Sequence, residues 1–491
     1  MKIAIVTSEA IPYSKTGGLA DVAGTLFREY IKMGLEAYLF VPLYMTTKKQ
    51  FVKEIHDTGV EIDVMIGKEI KKGTVFRSQN IFFVGNDEYF GRDELYGTAA
   101  GDYPDNDRRF TFFCKMVLEI CKHFNIDIDI MHCNDWQTGL IPIYLKTLYK
   151  DSQIFNKTCS LITIHNLGYQ GIFPEQTMEI TGLGPELFNP EGIEFYGNVN
   201  FLKAAIVSAD AITAVSKTYA KEILTPEYGF GLEGVLKSRA DKIYGVLNGI
   251  DYNEWDPSSD NLLPRNYSSS DCSSGLAGKT ACKKSLTQKC SFKGDTDTPL
   301  LCFIGRLSHQ KGIDILVDAL PSLLKNEIKN VLKNEINIVI IGKGDEYYHR
   351  AINSAKKRFS KNIFYYPLFD EAFAHLAYAG SDIFLMPSRY EPCGLGQMIA
   401  MRYGTIPVAR KTGGLADTIE DGNTGFLFKE HSTGSLSIAL NRALKSYSDK
   451  KLWFKIIKNA MGMDFSWEKS AKMYIEIYLR HGKTDQPLNF Y

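Results

Sequence analysis

Several things are missing from this chain of 491 residues, and each absence narrows the reading. It has no excess of either charge: Lys+Arg and Asp+Glu both number 57, a formal net charge of zero. No global positive field therefore draws it to nucleic acid or an anionic membrane, and only a local basic cleft is open to it. It has no apolar run near the ~20 residues of a membrane span. The first apolar run, Ile3–Val6, is too short for a signal-peptide core and meets Glu9 almost at once. The nine cysteines form no CxxC, and no cysteine–histidine spacing resembles a zinc site. An odd, scattered set of this kind reads as reduced thiols in a cytoplasmic protein, or in a plastid stroma once a transit peptide is cut away. GLAGKT at Gly275–Thr280 is not a phosphate loop, because Ser273 stands where the first glycine is needed and no strand precedes it. No second carboxylate stands at a fixed short spacing from Glu391, so nothing announces a two-carboxylate glycosidase.

What is present is length, apolar content and a repeat. A chain of 491 residues, 44% hydrophobic, is too long for one ordinary core and predicts at least two domains. Lys2–Thr7 reads as a strand. After a glycine loop, Leu19, Val22, Ala23, Leu26, Phe27 and Tyr30 recur at helical spacing until Gly34 closes the helix. Ala37–Val41 is the next strand, which begins a βαβ alternation. Ile126–Met131, Ser160–Ile164, Ala211–Val215 and Ile243–Leu247 continue it. A second series runs through Leu300–Ile304, Ile336–Ile341, Asn362–Tyr366, Asp382–Met386 and Ile406–Ala409. Between the series, residues 257–299 turn rich in serine, lysine and glycine, with a short helix expected over 278–289. Trp467–Leu479 is amphipathic and reads as a terminal helix. The expected domains are 1–247, 248–465 and a C-terminal helix within 466–491 that returns to the first domain.

The polar residues follow the carboxyl ends of the candidate strands, where open parallel sheets bind ligands. KTGGLAD occurs at Lys15–Asp21 and again at Lys411–Asp417, each time after a strand and before a helix. Paired glycines at a helix start bring free N–H groups and partial positive charge close to a phosphate or a row of sugar hydroxyls. The repeat is explained if each domain contributes one such loop to a shared cleft. Arg306 and Lys311 follow a strand in GRLSHQKG, placed to hold a pyrophosphate and stabilise its charge as it departs. Glu391 sits in RYEPCGLG, where Pro392 and two glycines restrict the backbone. His165 and Asp135 each directly follow an apolar strand.

These stretches resemble one family. SEAIPYSKTGGLADV, GDYPDNDRRF, CNDWQTGL, TIHNLGYQG, GVLNGID, GRLSHQKG, PSRYEPCGLGQM and ARKTGGLAD run in order from Ser8 to Asp417. Together they resemble bacterial glycogen synthase and plant starch synthase over essentially the whole chain. The resemblance implies an α/β fold of GT-B type: two Rossmann-like doubly wound domains with a cleft between them. The first is the acceptor side and the second binds the nucleotide sugar.

It also implies an activity, transfer of glucose from ADP-glucose to the non-reducing end of an α-1,4-glucan with retention of configuration. No cofactor or metal takes part, and neither nucleic acid nor membrane is a partner. On that resemblance Arg306 and Lys311 grip the diphosphate. Glu391 contacts the donor glucose beside Cys393 and Gly394. The backbone carbonyl of His165 lies near the anomeric centre. Lys15 and Gly18 belong to the donor loop, and Gly413, Gly414 and Leu415 offer backbone N–H groups to diphosphate or sugar. Asp135, Asn166, Asn248 and Gln310 are further cleft residues, while Tyr96 and the GDYPDN segment line the donor or acceptor side. Phe369 stands where an aromatic ring meets the nucleotide base. Related retaining GT-B enzymes often carry a second glutamate eight positions after the first, but here that position is Ile399, so ribose recognition departs from the wider pattern. A UDP-glucose-using or other GT-B transferase, including a phosphorylase or sucrose-forming enzyme, and a non-catalytic glucan-binding protein are the alternative readings.

Overall fold

The computed structural model describes residues 1–98, 101–293, 296–324 and 335–482. Two compact units divide the chain: Met1–Leu247 with Trp467–Tyr491, and Asn248–Ser466. Positions 483–491 of the expected C-terminal segment lie outside the described residues.

The first unit is built on one sheet of nine strands. In chain order these are β1 (Lys2–Val6), β2 (Glu36–Pro42), β3 (His56–Ile66), β4 (Glu69–Ser78), β5 (Ile81–Gly85), β6 (Ile130–Asn134), β7 (Cys159–Ile164), β8 (Ala211–Ala214) and β9 (Ile243–Gly245). Their spatial order is β9-β8-β7-β6-β1-β2-β5-β4-β3. The stretch from β9 to β5 is parallel throughout. The antiparallel ribbon β3–β4 extends the β5 edge. Strands covered on both faces need continuous apolar runs, and every residue of β6, β7 and β8 is buried. The ribbon instead alternates exposed and half-buried positions and carries Glu61, Asp63, Lys71 and Lys72. A charged ribbon of this kind has no continuous apolar signature, which is why 56–78 does not read as strands; β5, IFFVG and wholly buried, does carry an apolar run and is absent from the sequence reading all the same.

One predicted strand is displaced. Ile126–Met131 was expected to be extended, but β6 begins at Ile130. Ile126 and Ile128 are buried in the connection leading to it. Asp129, inside the expected strand, spends its carboxylate on the backbone N–H of Lys2 at 2.7 Å.

The helix Trp467–His481 belongs to the first unit. Trp467, Ala471, Tyr474, Ile475 and Tyr478 join the core formed by β1, β2 and the helix Gly18–Lys32. The Tyr478 hydroxyl lies 2.9 Å from that of Tyr30 and 2.6 Å from Nδ1 of His132. Buried hydroxyls on an otherwise apolar helix face need such partners, and these fix the helix in one register.

The second unit holds a six-stranded parallel sheet. Its strands are β10 (Leu300–Ile304), β11 (Asn337–Ile341), β12 (Ile363–Tyr366), β13 (Ile383–Met386), β14 (Ile406–Arg410) and β15 (Phe426–Phe428). They lie in the order β12-β11-β10-β13-β14-β15, all parallel. The order reverses between β10 and β13, as it does between β1 and β6 in the first unit. The diverging loops at such a reversal leave an opening at the carboxyl edge of the strands.

Candidate active site

In the second unit, the reversal brings together the loops after β10 and β13. Gly312 closes the first loop with φ +68°, and a Cβ there would stand 2.0 Å from the carbonyl oxygen of Pro387. Glycine is thus what lets the Lys311 turn lie against the start of the second loop. Nζ of Lys311 meets Oε2 of Glu391 at 2.6 Å. The Ser388 hydroxyl donates to the same oxygen at 2.9 Å. Glu391 is 5% exposed, so its charge is stabilised by this ammonium and hydroxyl rather than by water. Gln310 ties the loops further: its carbonyl accepts the Arg389 N–H at 2.8 Å, and its Nε2 donates to Tyr390 O at 3.3 Å.

Arg306 is different. It is exposed and makes no hydrogen bond or ion pair among the described residues. The same edge therefore presents one tethered cation and one whose donors remain available to an anion. Asn248 is buried with Oδ1 unpaired among the described residues, and its backbone N–H reaches the Cys393 sulfur. Burial pushes the Cys393 thiol up to about 12, which keeps it protonated and rules it out as a thiolate nucleophile. Phe369 follows β12 and is 61% exposed, an aromatic face turned to solvent.

The second heptad packs against the Glu391 loop. Gly413, Gly414 and Leu415 are buried. The Gly414 N–H donates to the carbonyls of Glu391 and Pro392 at 3.1 and 3.2 Å, and the Leu415 N–H to Thr412 O at 3.1 Å. The N–H groups of Gly414 and Leu415 are engaged inside the unit, where that of Gly414 holds the Glu391 loop. The N–H groups of Gly394 and Leu395 donate to no backbone carbonyl among the described residues outside a helix or strand. They stand just ahead of the helix Gly396–Arg402, where donors are left over.

In the first unit, the carboxyl ends of β1, β6 and β7 lie side by side and carry Glu9, Asp135 and His165. Asp135 adopts φ +54° and accepts the His165 N–H at 2.7 Å; the Asn166 N–H also bonds to it. Burial pushes its carboxyl up to about 7 against those two donors. The Asn134 amide donates to Val6 O at 3.1 Å, which turns its oxygen toward Nε2 of His165 at 2.9 Å. Nε2 therefore carries the proton, and burial pushes the imidazole down to about 3, so His165 is neutral at physiological pH. The Asn166 side chain is used locally, accepting the Gly168 N–H at 3.0 Å. The Tyr96 hydroxyl lies 2.7 Å from that of Ser8, and burial holds the phenol well above its ordinary range.

Glu9 was not singled out from sequence. It is 3% exposed, and its Oε2 accepts the N–H and hydroxyl of Thr16. The Gly17 N–H also bonds to it, yet burial still pushes it up to about 7. It lies three residues past the end of β1, in the polar stretch at a strand end that marked Asp135, and that signal could have found it. Ser388 was missed too, since a serine ahead of a motif carries no signal until a carboxylate is seen beside it. Lys15 is exposed and pairs with Asp21 at 2.7 Å, and Gly18 is the first residue of the helix Gly18–Lys32.

Comparison with known proteins then bears on this geometry. A family profile described as starch synthase catalytic domain matches residues 2–238, and one described as glycosyl transferases group 1 matches residues 287–461. The glycogen synthase of Thermodesulfovibrio yellowstonii is 46% identical, over 97% of this chain and 97% of its own. The chain belongs to the glycogen and starch synthase family. The glycogen synthase of Thermotoga maritima is 41% identical over 97% of this chain and 98% of its own. Among solved structures, the catalytic domain of starch synthase IV from Arabidopsis thaliana, bound to ADP and acarbose, superposes with a TM-score of 0.87 at 30% identity. That match covers 98% of this chain and 99% of the other. A sucrose-phosphate synthase from Thermosynechococcus elongatus, at 16% identity and a TM-score of 0.61, shares the fold. The architecture is GT-B and the protein is a glycosyltransferase of the glycogen and starch synthase kind. Among the described residues no helix is long and apolar enough to cross a membrane.

Proposed function

We propose that this chain transfers glucose from ADP-glucose to the non-reducing end of an α-1,4-glucan, with retention of the α configuration. The observation that carries the reading is the cation arrangement at the β10–β13 edge. Lys311 is locked to buried Glu391 at 2.6 Å, while Arg306 is exposed and unpaired among the described residues. Such an edge suits a sugar diphosphate, whose negative charge grows as the glycosidic C–O bond breaks. The starch synthase IV relative, solved with ADP and acarbose, supports adenine as the base and a glucan-like acceptor.

The second unit would take the nucleotide sugar. Arg306 and Lys311 neutralise the diphosphate, the N–H groups of Gly394 and Leu395, without a backbone acceptor among the described residues, add donors, and Phe369 stacks on the base. Glu391 contacts the donor glucose. The first unit would carry the acceptor side, with Tyr96, Glu9 and Asp135 facing sugar hydroxyls and the His165 carbonyl near the anomeric centre. The acceptor hydroxyl attacks from the face the diphosphate leaves, and a departing phosphate oxygen takes its proton. Neutral His165 and the protonated Cys393 thiol agree with a reaction lacking an enzymic nucleophile.

The decisive experiment incubates the purified chain with glycogen and either ADP-glucose or UDP-glucose, measuring glucose incorporation and nucleotide release. Incorporation from ADP-glucose, giving α-linked product, is expected. Preference for UDP-glucose would overturn the donor, and β-linked product would overturn the mechanism. Nucleotide release without incorporation would overturn the glucan acceptor.

A further inference from the structure

Three residues with no part in the transfer reading converge inside the second unit. Glu371 opens the helix Glu371–Gly380, and His375 follows one turn later on the same face. Glu254 comes from a turn in which its own N–H and that of Trp255 bond to Asp251 O at 3.1 and 2.8 Å. One ligand atom from each of Glu254, Glu371 and His375 lies within 4.8 Å of the others.

The histidine is what makes this more than a pair of acids. His375 is 2% exposed, and its ring stacks on Trp255 at 4.0 Å with an interplanar angle of 16°. Its Nδ1 meets Oδ2 of Asp260 at 2.8 Å. Asp260 also accepts the Tyr403 hydroxyl at 2.6 Å and the Leu262 N–H at 2.9 Å. Only a donor is welcome beside that carboxylate, so Nδ1 carries the proton of the neutral ring. Nε2 is then a lone pair, and it is buried with no hydrogen-bond partner among the described residues. A nitrogen of this ring lies within 4.8 Å of a carboxylate oxygen of both Glu254 and Glu371, and Nε2 is the one not already bonded to Asp260. A lone pair among carboxylates repels them, and a cation between them reverses the sign.

We propose that Glu254, Glu371 and His375 hold one divalent transition-metal ion, zinc by ligand class. Magnesium and calcium prefer all-oxygen shells, whereas an imidazole with two carboxylates suits zinc. Asp260 fits the part of the outer carboxylate that orients a metal-binding imidazole through its other nitrogen. Among the described residues no lysine or arginine pairs with buried Asp260, whose only basic partner is the neutral His375 ring, so a bound dication would also offset its charge. Three protein ligands leave a fourth position for water. The ion would clamp the first turn of the helix Glu371–Gly380 to the Glu254 turn, a bracing role separate from glucosyl transfer.

The test uses the full chain, stripped with a chelator and titrated with zinc chloride, with binding followed by calorimetry and metal content. One ion per chain is expected. Glu371→Gln changes an exposed side chain, so the metal-free variant should unfold at the same temperature as metal-free wild type while binding zinc at least ~10-fold more weakly. Cobalt should give visible d–d bands without the near-ultraviolet thiolate band that cysteine ligation would add. If His375→Gln fails to fold, Glu254→Gln provides the second reading and should weaken zinc likewise. Absence of stoichiometric binding, equal affinity in wild type and Glu371→Gln, or a thiolate band would each overturn the site. None of these readouts needs a sugar nucleotide, so they stand whether or not the transfer reading holds.

Discussion

The heptad KTGGLAD is written twice, and the two copies fold differently. In the first, Gly17 is extended at φ −155°, a Cβ there would meet nothing within 4 Å, and the helix that follows runs 15 residues. In the second, Gly413 sits at φ +43°, and a Cβ there would stand 2.0 Å from the carbonyl oxygen of Glu391. That helix has six residues. The N–H groups of the first copy, from Thr16 and Gly17, reach the side chain of buried Glu9. The Gly414 N–H of the second reaches the main chain of the Glu391 loop. Each copy therefore braces an acidic residue at a carboxyl sheet edge, one by its carboxylate and one by its backbone. The same letters serve by different bonds because the neighbouring loop, not the heptad, decides how close the backbones come.

The largest expected effect tests the edge that the second copy supports. Arg306→Ala should lower turnover at least ~100-fold if the guanidinium meets developing charge, and near-normal kcat would remove it from the mechanism. Next comes the contrast between the glycines. Gly413→Ala must relieve a 2.0 Å contact and a left-handed φ, so overpacking of about 1–3 kcal/mol or more should lower the unfolding midpoint by several degrees. Gly17→Ala, with open space and an extended backbone, should leave the midpoint nearly unchanged. Equal midpoints for the two variants would show that the copies are not used differently.

A smaller effect is expected at the base. Phe369→Ala should raise the donor KM roughly tenfold, within the 1–3 kcal/mol of a base–aromatic stack, with kcat little altered. An unchanged KM would remove the stacking role.

The last effect, on stability and not on turnover, belongs to Glu9. Burial raises its carboxyl from the ordinary 4.5 to about 7 on folding. The folded chain then binds more protons than the unfolded chain between those values, so this group makes stability fall as pH rises from about 4.5 to 7. Glu9→Gln should flatten that part of the stability–pH curve, measured by chemical denaturation across the window. A curve with unchanged slope would show that Glu9 does not titrate there.

Much of the fold was legible from apolar runs. Leu300–Ile304 was read to the residue, and β1, β2, β7 and β11 to β14 to within a residue or two at each end, because buried parallel strands leave continuous hydrophobic stretches between loops. The β3–β4 ribbon was invisible, since charged, half-exposed edge strands lack that signature. The candidate site was partly legible for a related reason. Arg306, Lys311, Glu391, Asp135 and His165 all follow strands, and the strand end itself was the signal. Glu9 and Ser388 were passed over because their importance lies in how their own loops fold back, Glu9 onto Thr16 and Ser388 onto Glu391.

By itself the sequence determined that this is a two-unit α/β chain of the glycogen and starch synthase family, with cations and carboxylates at its strand ends. Alternation of apolar runs and loops is a local property, and a linear pattern can carry it. Only the tertiary structure decided that Lys311 is bound to Glu391, 80 positions away, that Gly414 spends its N–H on the backbone, and that Glu254 meets Glu371 and His375. Those facts depend on which loops a sheet order makes neighbours. Distance through space between residues far apart in the chain is not written in either one's local context.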